Sequence, residues 1–200
     1  GGGELNFITN RVFRDISAWY NIILAIDTTQ AVEANRVKIY VNGTQETSFS
    51  TATYPSQNSN MHLNRNGKVQ YIGRHTDSSN DYYFDGYMAE VCWIDGSQEA
   101  ATSFGEFDED SPTIWKPIDV SGLTFGTNGF YCDFEDSGDL GDDESGNGND
   151  WTENNLAATD QMTDTPTLNY AVMNSLDNYH AGSTFSEGNL KIVTIAAGSA

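Results

Sequence analysis

Apolar and polar residues alternate along much of the first hundred positions, and the alternation has a period of two. In residues 19–27 (WYNIILAID), Ile22, Leu24 and Ile26 fall on one face of an extended chain. Residues 36–41 repeat the pattern, with Val37, Ile39 and Val41 on one side and Arg36, Lys38 and Tyr40 on the other. Asn42-Gly43 follows, and β-prone residues resume over 44–50. An Asn-Gly pair between two such runs predicts a hairpin, because a type I′ turn needs positive φ at both central positions. Residues 70–74 and 83–95 predict further strands, the second placing Tyr87, Ala89, Val91 and Trp93 on one face. One short helical turn is expected within 97–103, and no other segment has helical periodicity.

From Gly105 the pattern weakens. Residues 106–117 read as a loop, and residues 130–134 (FYCDF) as one more strand. Residues 135–150 (EDSGDLGDDESGNGND) have the Asp/Gly/Asn content of a solvated loop. Residues 159–179 stay polar, and residues 186–194 (SEGNLKIVT) predict a strand. The chain is therefore expected to be all-β. Residues 1–112 form part of an antiparallel sandwich, residues 113–180 an acidic connector, and residues 181–200 the first strand of a following domain.

Composition supports this reading. Nineteen glycines, ten tyrosines and ten phenylalanines stand against nine Lys+Arg. The net charge of −20 is uneven: residues 1–116 carry 15 acids and 8 bases, and residues 117–200 carry 14 acids and 1 base. Such a surface repels phosphate backbones and argues against nucleic-acid binding. No apolar run is long enough for a helical membrane span, and no signal peptide is visible. Cys92 and Cys132 give neither a disulfide framework nor a zinc spacing. Each sits in an apolar run, which favours buried thiols and leaves a single bridge open. Gly1-Gly2-Gly3 runs straight into strand-like residues, so the sequence reads as a piece of a longer chain.

Trp19-Tyr20 and its apolar strand, then KIYVNG (38–43), YIGR (71–74) and YFDGYMAEVCWIDG (83–96), resemble in order and spacing the second half of a laminin-G-like, concanavalin A-like jelly roll. The resemblance covers roughly residues 4–105. It implies that the first half of the sandwich lies upstream or comes from neighbouring subunits. SFGEFDED (103–110), GTNGFYCDF (126–134), DESGNGNDW (143–151), TDTPTLNYAVMNSLD (163–177) and SEGNLK (186–191) resemble segments of marine bacteriophage structural and tail-fibre-like proteins. There a SPRY-like domain follows, beginning near the last of these segments.

Candidate chemistry is sparse. Glu106, Asp108 and Asp110 have the alternate spacing by which sandwich glycosidases present two carboxylates on a strand. Gly105 before them and Ser111-Pro112 after them favour a loop instead. His62, His75 and His180 lack nucleophile partners and metal spacing, and Gly1–Gly3 with Glu4 and the Gly146/Gly148 pair lack the strand-to-helix setting of a phosphate loop. No catalytic residue is assigned. Asp136, Asp139, Asp142, Asp143, Asn147, Asn149 and Asp150 are the candidate calcium ligands, being closely spaced oxygens among glycines. The EF-hand spacing is absent, and a bare solvated loop is the competing reading. The laminin-G resemblance adds a rim calcium to the expectation. Tyr54, Asn80, Asp81, Tyr82 and Tyr83 are the candidate glycan contacts, with rings to stack on sugar faces and polar groups for hydroxyls. Trp19 and Trp93 are assigned to the core.

Together these expectations describe a non-enzymatic structural or adhesive component of a phage tail or fibre, at the virion surface or outside the cell. Its expected partners are other virion proteins, copies of itself in a homo-oligomer, and host-surface polysaccharide. The alternative is an extracellular calcium-dependent carbohydrate-binding module of a bacterial surface protein. A glycosidase requires Glu106 and Asp108 to line a cleft.

Overall fold

A computed structural model describes residues 5–15, 18–64, 67–76, 80–167, 173, 182–186 and 190–194. Its strands begin with β1 (Asn6–Thr9), β2 (Ile22–Ile26), β3 (Val37–Val41), β4 (Thr44–Glu46) and β5 (Phe49–Thr53). They continue with β6 (Arg74–Thr76), β7 (Asp81–Tyr83), β8 (Val91–Trp93), β9 (Gly105–Phe107) and β10 (Trp115–Pro117). The last are β11 (Phe130–Cys132), β12 (Thr184–Ser186) and β13 (Lys191–Val193). Every pairing among the described residues is antiparallel: β2-β3-β4, β1-β5, β6-β7, β8-β11, β9-β10 and β12-β13. The fold is all-β, and the described helical residues are three single 3-10 turns, one of them at Ala101–Ser103 inside the expected segment.

The β3–β4 connection is the hairpin that Asn42-Gly43 predicts. Asn42 has φ 46° and Gly43 φ 71°, as a type I′ turn requires. Gly43 has a second reason to be glycine, since a Cβ there would lie 2.2 Å from the Trp115 ring. The turn is thus packed under the β9–β10 hairpin.

Several predicted strands are interrupted, each for a local reason. The run over 44–50 breaks after Glu46, whose carboxylate caps the Ser48 N–H at 3.0 Å and pairs with Arg11 at 2.7 Å. The chain then leaves β4 and pairs β5 with β1 instead. The run over 70–74 becomes a strand only at Arg74, because Gly73 has φ 74°. The run over 83–95 splits into β7 and β8, with Glu90 at φ 55° just before β8. Tyr87 is consequently exposed. Residues 106–117, expected as a loop, form the β9–β10 hairpin with Glu106 opposite Lys116. Residues 186–194, expected as one strand, are divided between β12 and β13, with 187–189 outside the described residues.

A buried cluster joins Val120, Phe125 and Tyr131, with Cys92, Ile94, Phe104 and Leu123 packed against it. Phe125 and Tyr131 stack at 5.9 Å with 6° between their planes. The Tyr131 hydroxyl donates to Glu90 Oε2, and burial raises the tyrosine's pKa above its ordinary value. Both cysteines are free. Cys92 pairs in register with Tyr131 and Cys132 with Val91, so the two thiols point to opposite faces of the ladder and cannot bridge. Burial pushes Cys92 up to about 11 and Cys132 up to about 12. Among the described residues no helix is long and apolar enough to cross a membrane.

Candidate functional site

The β6–β7 hairpin gathers part of the expected glycan set onto one exposed element. Its register places Arg74 opposite Tyr83, His75 opposite Tyr82 and Thr76 opposite Asp81. Period-two geometry therefore gives it two differently furnished faces. On one, His75 and Tyr82 stack at 5.9 Å with 18° between their rings. On the other, the Arg74 guanidinium lies 4.7 Å from the Tyr71 ring centre and 5.7 Å from that of Tyr83. Arg74 Nη2 also pairs with Asp81 Oδ2 at 2.9 Å. Tyr71, Tyr82, Tyr83 and Phe84 keep 45%, 52%, 69% and 56% of their surface in solvent, which is unusually high for four neighbouring aromatics. A shallow cavity of about 290 Å³ opens beside them, lined by Gly73, Arg74, His75, Tyr82, Tyr83 and Phe84.

Asp81, Tyr82 and Tyr83 are thus brought together, and Asn80 is exposed at their edge. Tyr54 is not part of the group. It packs edge-on against Phe7 at 4.9 Å beside the β1–β5 ladder. Sequence reasoning missed Tyr71, Arg74 and His75, although the pairing of YIGRH (71–75) with DYYF (81–84) was the available signal.

The acidic segment is organised by one carboxylate. Asp143 is buried, and Oδ1 accepts from Tyr131 N at 2.8 Å and Ser145 N at 2.9 Å. Oδ2 accepts from Ser145 Oγ and Asn149 N, both at 2.9 Å. Burial alone would raise its pKa, but these donors outweigh it and hold the carboxyl below its ordinary value. Asn147 Nδ2 donates to Gly126 O and Gly129 O at 2.7 and 3.0 Å, and Asn149 Nδ2 to Gly129 O at 2.8 Å. Trp151 closes the loop by donating to Gly141 O at 2.8 Å and packing edge-on against Phe130 at 5.0 Å.

Of the remaining calcium candidates, Asp136, Asp139 and Asp150 have partners of their own. Asp136 Oδ1 accepts from Gly138 N at 2.7 Å, and Asp150 Oδ1 from Asp143 N at 3.2 Å. Asp139 hydrogen-bonds the Glu153 carboxyl, which raises its pKa, while Asp142 adds charge repulsion nearby. Among the described residues no group of three or more His, Cys, Asp or Glu side chains is arranged to hold a metal. The loop clamps residues 126–132 through its own hydrogen bonds.

Glu106 and Asp108 do lie on and beside a strand, contrary to the loop expectation, but Lys116 Nζ sits 3.3 Å from one and 3.6 Å from the other. Asp108 Oδ1 also caps the N–H groups of Asp110 and Ser111. His62 is exposed, with its carbonyl accepting from Gln70 Nε2 at 3.3 Å. His180, Gly1–Gly3 and Glu4 lie outside the described residues.

A second concavity was not foreseen. A groove of about 870 Å³ runs between β2 and β8, with Trp19, Trp93 and Trp115 in its wall. Trp19 and Trp93 are half-buried groove residues rather than core, and among the described residues no further strand pairs with β2 or β8 on that side. Trp19 Nε1 is held by Asp164 Oδ2 at 3.0 Å.

The architecture is that of an antiparallel β-sandwich protein of the concanavalin A-like class. The family model described as the concanavalin A-like lectin/glucanases superfamily (Laminin_G_3) matches residues 1–102, and the chain belongs to that superfamily. No curated protein and no solved structure matches the chain.

Proposed function

We propose that this chain is a non-catalytic recognition module that holds carbohydrate on the β6–β7 hairpin. The observation that carries the reading is the exposed pair of Tyr71 and Tyr83 around Arg74 and Asp81, with Tyr82 stacked on His75 on the other face of the same hairpin. Tyrosine rings offer flat apolar faces to sugar C–H groups, while the Arg–Asp pair offers donors and acceptors to hydroxyls. Membership of a superfamily of lectins and glucanases supports the substrate class. The non-catalytic reading is supported by Lys116, which ties up the two alternately spaced carboxylates in ion pairs.

We further place the module on a bacteriophage tail or fibre, facing host-surface polysaccharide. This rests on the likeness of its second-half segments to such proteins, and immunogold labelling of particles tests it.

The functional test is an array of bacterial surface glycans probed with the full chain and its Tyr82→Ala and Tyr83→Ala variants. Each substitution is expected to weaken binding at least about tenfold, or roughly 1.4 kcal/mol. Both residues are exposed, so stability should stay within about 0.5 kcal/mol of the parent. Full binding by the double variant removes the hairpin from the site. Glycan cleavage that disappears in Glu106→Gln overturns the non-catalytic reading.

A further inference from the structure

We propose that the groove between β2 and β8 receives an extended strand of another polypeptide, apolar at alternate positions and basic at those between. The first support is the direction of the backbone. Asn42 N donates to Asn21 O and Asp27 N to Arg36 O, which fixes the odd-numbered residues of β2 as those bonded to β3. The N–H and C=O groups of Ile22, Leu24 and Ile26 therefore point to the opposite edge, where no described strand meets them.

On β11, Tyr131 N donates to Asp143 and Tyr131 O accepts from Glu144 N. Tyr131 and Cys92 are thus a non-hydrogen-bonded pair, and the main-chain groups of Cys92 also face away from the ladder. Consecutive residues of both strands, rather than alternate ones, line the one groove, as they must where a cavity runs along strand edges. An unpaired apolar edge is a template for another strand.

Size and chemistry agree. A strand of five residues in a sheet fills roughly 800 Å³, from about 4.8 Å to its neighbour, about 10 Å across the sheet and about 3.3 Å per residue. The groove holds about 870 Å³. Ile22 and Leu24 expose 55% and 41% of their surface into this region, ready to be covered by apolar side chains. Three buried polar atoms of lining residues, Asn21 Oδ1, Gln98 Nε2 and Trp115 Nε1, have no hydrogen-bond partner among the described residues. A main chain brings both donors and acceptors to such atoms.

Charge selects the occupant. The lining contains the carboxylates of Asp15, Asp85, Glu90 and Glu99 and no Lys, Arg or His. A second copy of a chain with net charge −20 is repelled from that rim, whereas a strand bearing Lys or Arg is drawn to it.

The test uses the full chain and a synthetic peptide of about nine residues alternating valine and lysine, with a valine–glutamate peptide as control. Binding is read from tryptophan fluorescence and amide hydrogen exchange. The lysine peptide is expected to bind at least about tenfold more tightly than the glutamate peptide. It should slow exchange at Ile22, Leu24, Ile26 and Cys92 while leaving the residues between them unchanged. Leu24→Ser, at an exposed position, should weaken binding without lowering the melting temperature. Equal binding of the two peptides overturns the basic partner, and protection without alternation overturns strand pairing. The same alternating protection developing with protein concentration alone makes a second copy the occupant and likewise overturns the proposal, as does failure of the lysine peptide to bind.

Discussion

Replacing Asp143 by asparagine tests whether one buried carboxylate organises the acidic loop. The side chain accepts four hydrogen bonds, three of them from the main-chain N–H groups of Tyr131, Ser145 and Asn149. An asparagine is nearly isosteric but presents one oxygen and one NH2 group, so about two of the four donors lose their acceptor. A buried donor without a partner costs about 1–3 kcal/mol. Ser145 and Asn149 are half-buried and can recruit water, which puts the expected loss at the lower end, about 2–3 kcal/mol. In a chain of this length that corresponds to a fall of roughly 5–10 °C in melting temperature. Asp143→Ala, which removes every acceptor, should cost more.

Thermal unfolding at pH 7 measures the loss, and pH checks its cause. The carboxyl's folded pKa is below its unfolded value, so its stabilisation is complete above the unfolded pKa of about 3.9 and disappears as pH falls through the folded value. The gap between parent and Asp143→Asn should therefore be full at pH 7 and narrow as pH falls below the unfolded value. Calcium chloride and sodium chloride of equal ionic strength should give the same melting temperature, because the oxygens of Asp143 are already occupied. An Asp143→Asn protein melting within about 1 °C of the parent refutes the argument, since it would mean a loss of about 0.5 kcal/mol or less. A calcium-specific rise abolished by Asp142→Asn or Asp150→Asn replaces it with a metal site.

Gly43→Val should lower stability by about 2–4 kcal/mol, combining the left-handed strain of a β-branched residue with displacement of Trp115. A variant that melts like the parent, followed by circular dichroism, dissociates the turn from Trp115. As pH falls into the carboxylate range, Glu144, raised by repulsion from Asp133 and Asp142, should take up its proton first in the folded chain and add stability, while in the Asp139–Glu153 pair the raised Asp139, donating to Glu153, and the lowered Glu153 act in opposite directions. Below about pH 4 stability should fall, since Asp143 and Glu46 are held below their ordinary values and the unfolded chain is then the proton acceptor. A melting temperature that falls steadily from pH 7 contradicts this. Alkylation of Cys92 and Cys132 by iodoacetamide at pH 8 should be slow in the folded chain and fast in urea, as thiols raised to about 11 and about 12 carry little thiolate. Rapid modification of the native protein refutes the raised values.

What the sequence disclosed follows how far each determinant lies along the chain. The β3–β4 hairpin depends on side-chain period and on Asn42-Gly43, both contained within a few residues, and it forms where expected, although β4 ends at Glu46. Asp81, Tyr82 and Tyr83 could be grouped in advance because they adjoin one another in sequence, whereas their place on a strand paired with Arg74 and His75 was not anticipated. Tyr54 looked equivalent to them, but its surroundings are decided by Phe7 on β1, a contact that no local pattern encodes. The β9–β10 hairpin escaped notice because three-residue strands carry no period, and part of what fixes this one is Trp115 lying across Gly43 and Gly105. Composition likewise identified an acidic loop without distinguishing Asp143 from its neighbours, since that distinction rests on the Tyr131 N–H reaching it from a strand.

The groove is the extreme case. Residues 22–26 read as an ordinary strand because Ile22, Leu24 and Ile26 alternate correctly, and nothing in that pattern tells a covered edge from an open one. Openness is a property of pairing, decided by what stands beside β2 and β8 rather than by what they contain. Acidity then acquires a structural meaning that the net charge alone does not give it. Carboxylates at Asp85, Glu90 and Glu99 border an apolar edge that would otherwise recruit copies of the same chain, and like charge on both partners opposes that self-association. The same charges favour a basic strand, so one feature both discourages edge-to-edge aggregation and selects a partner.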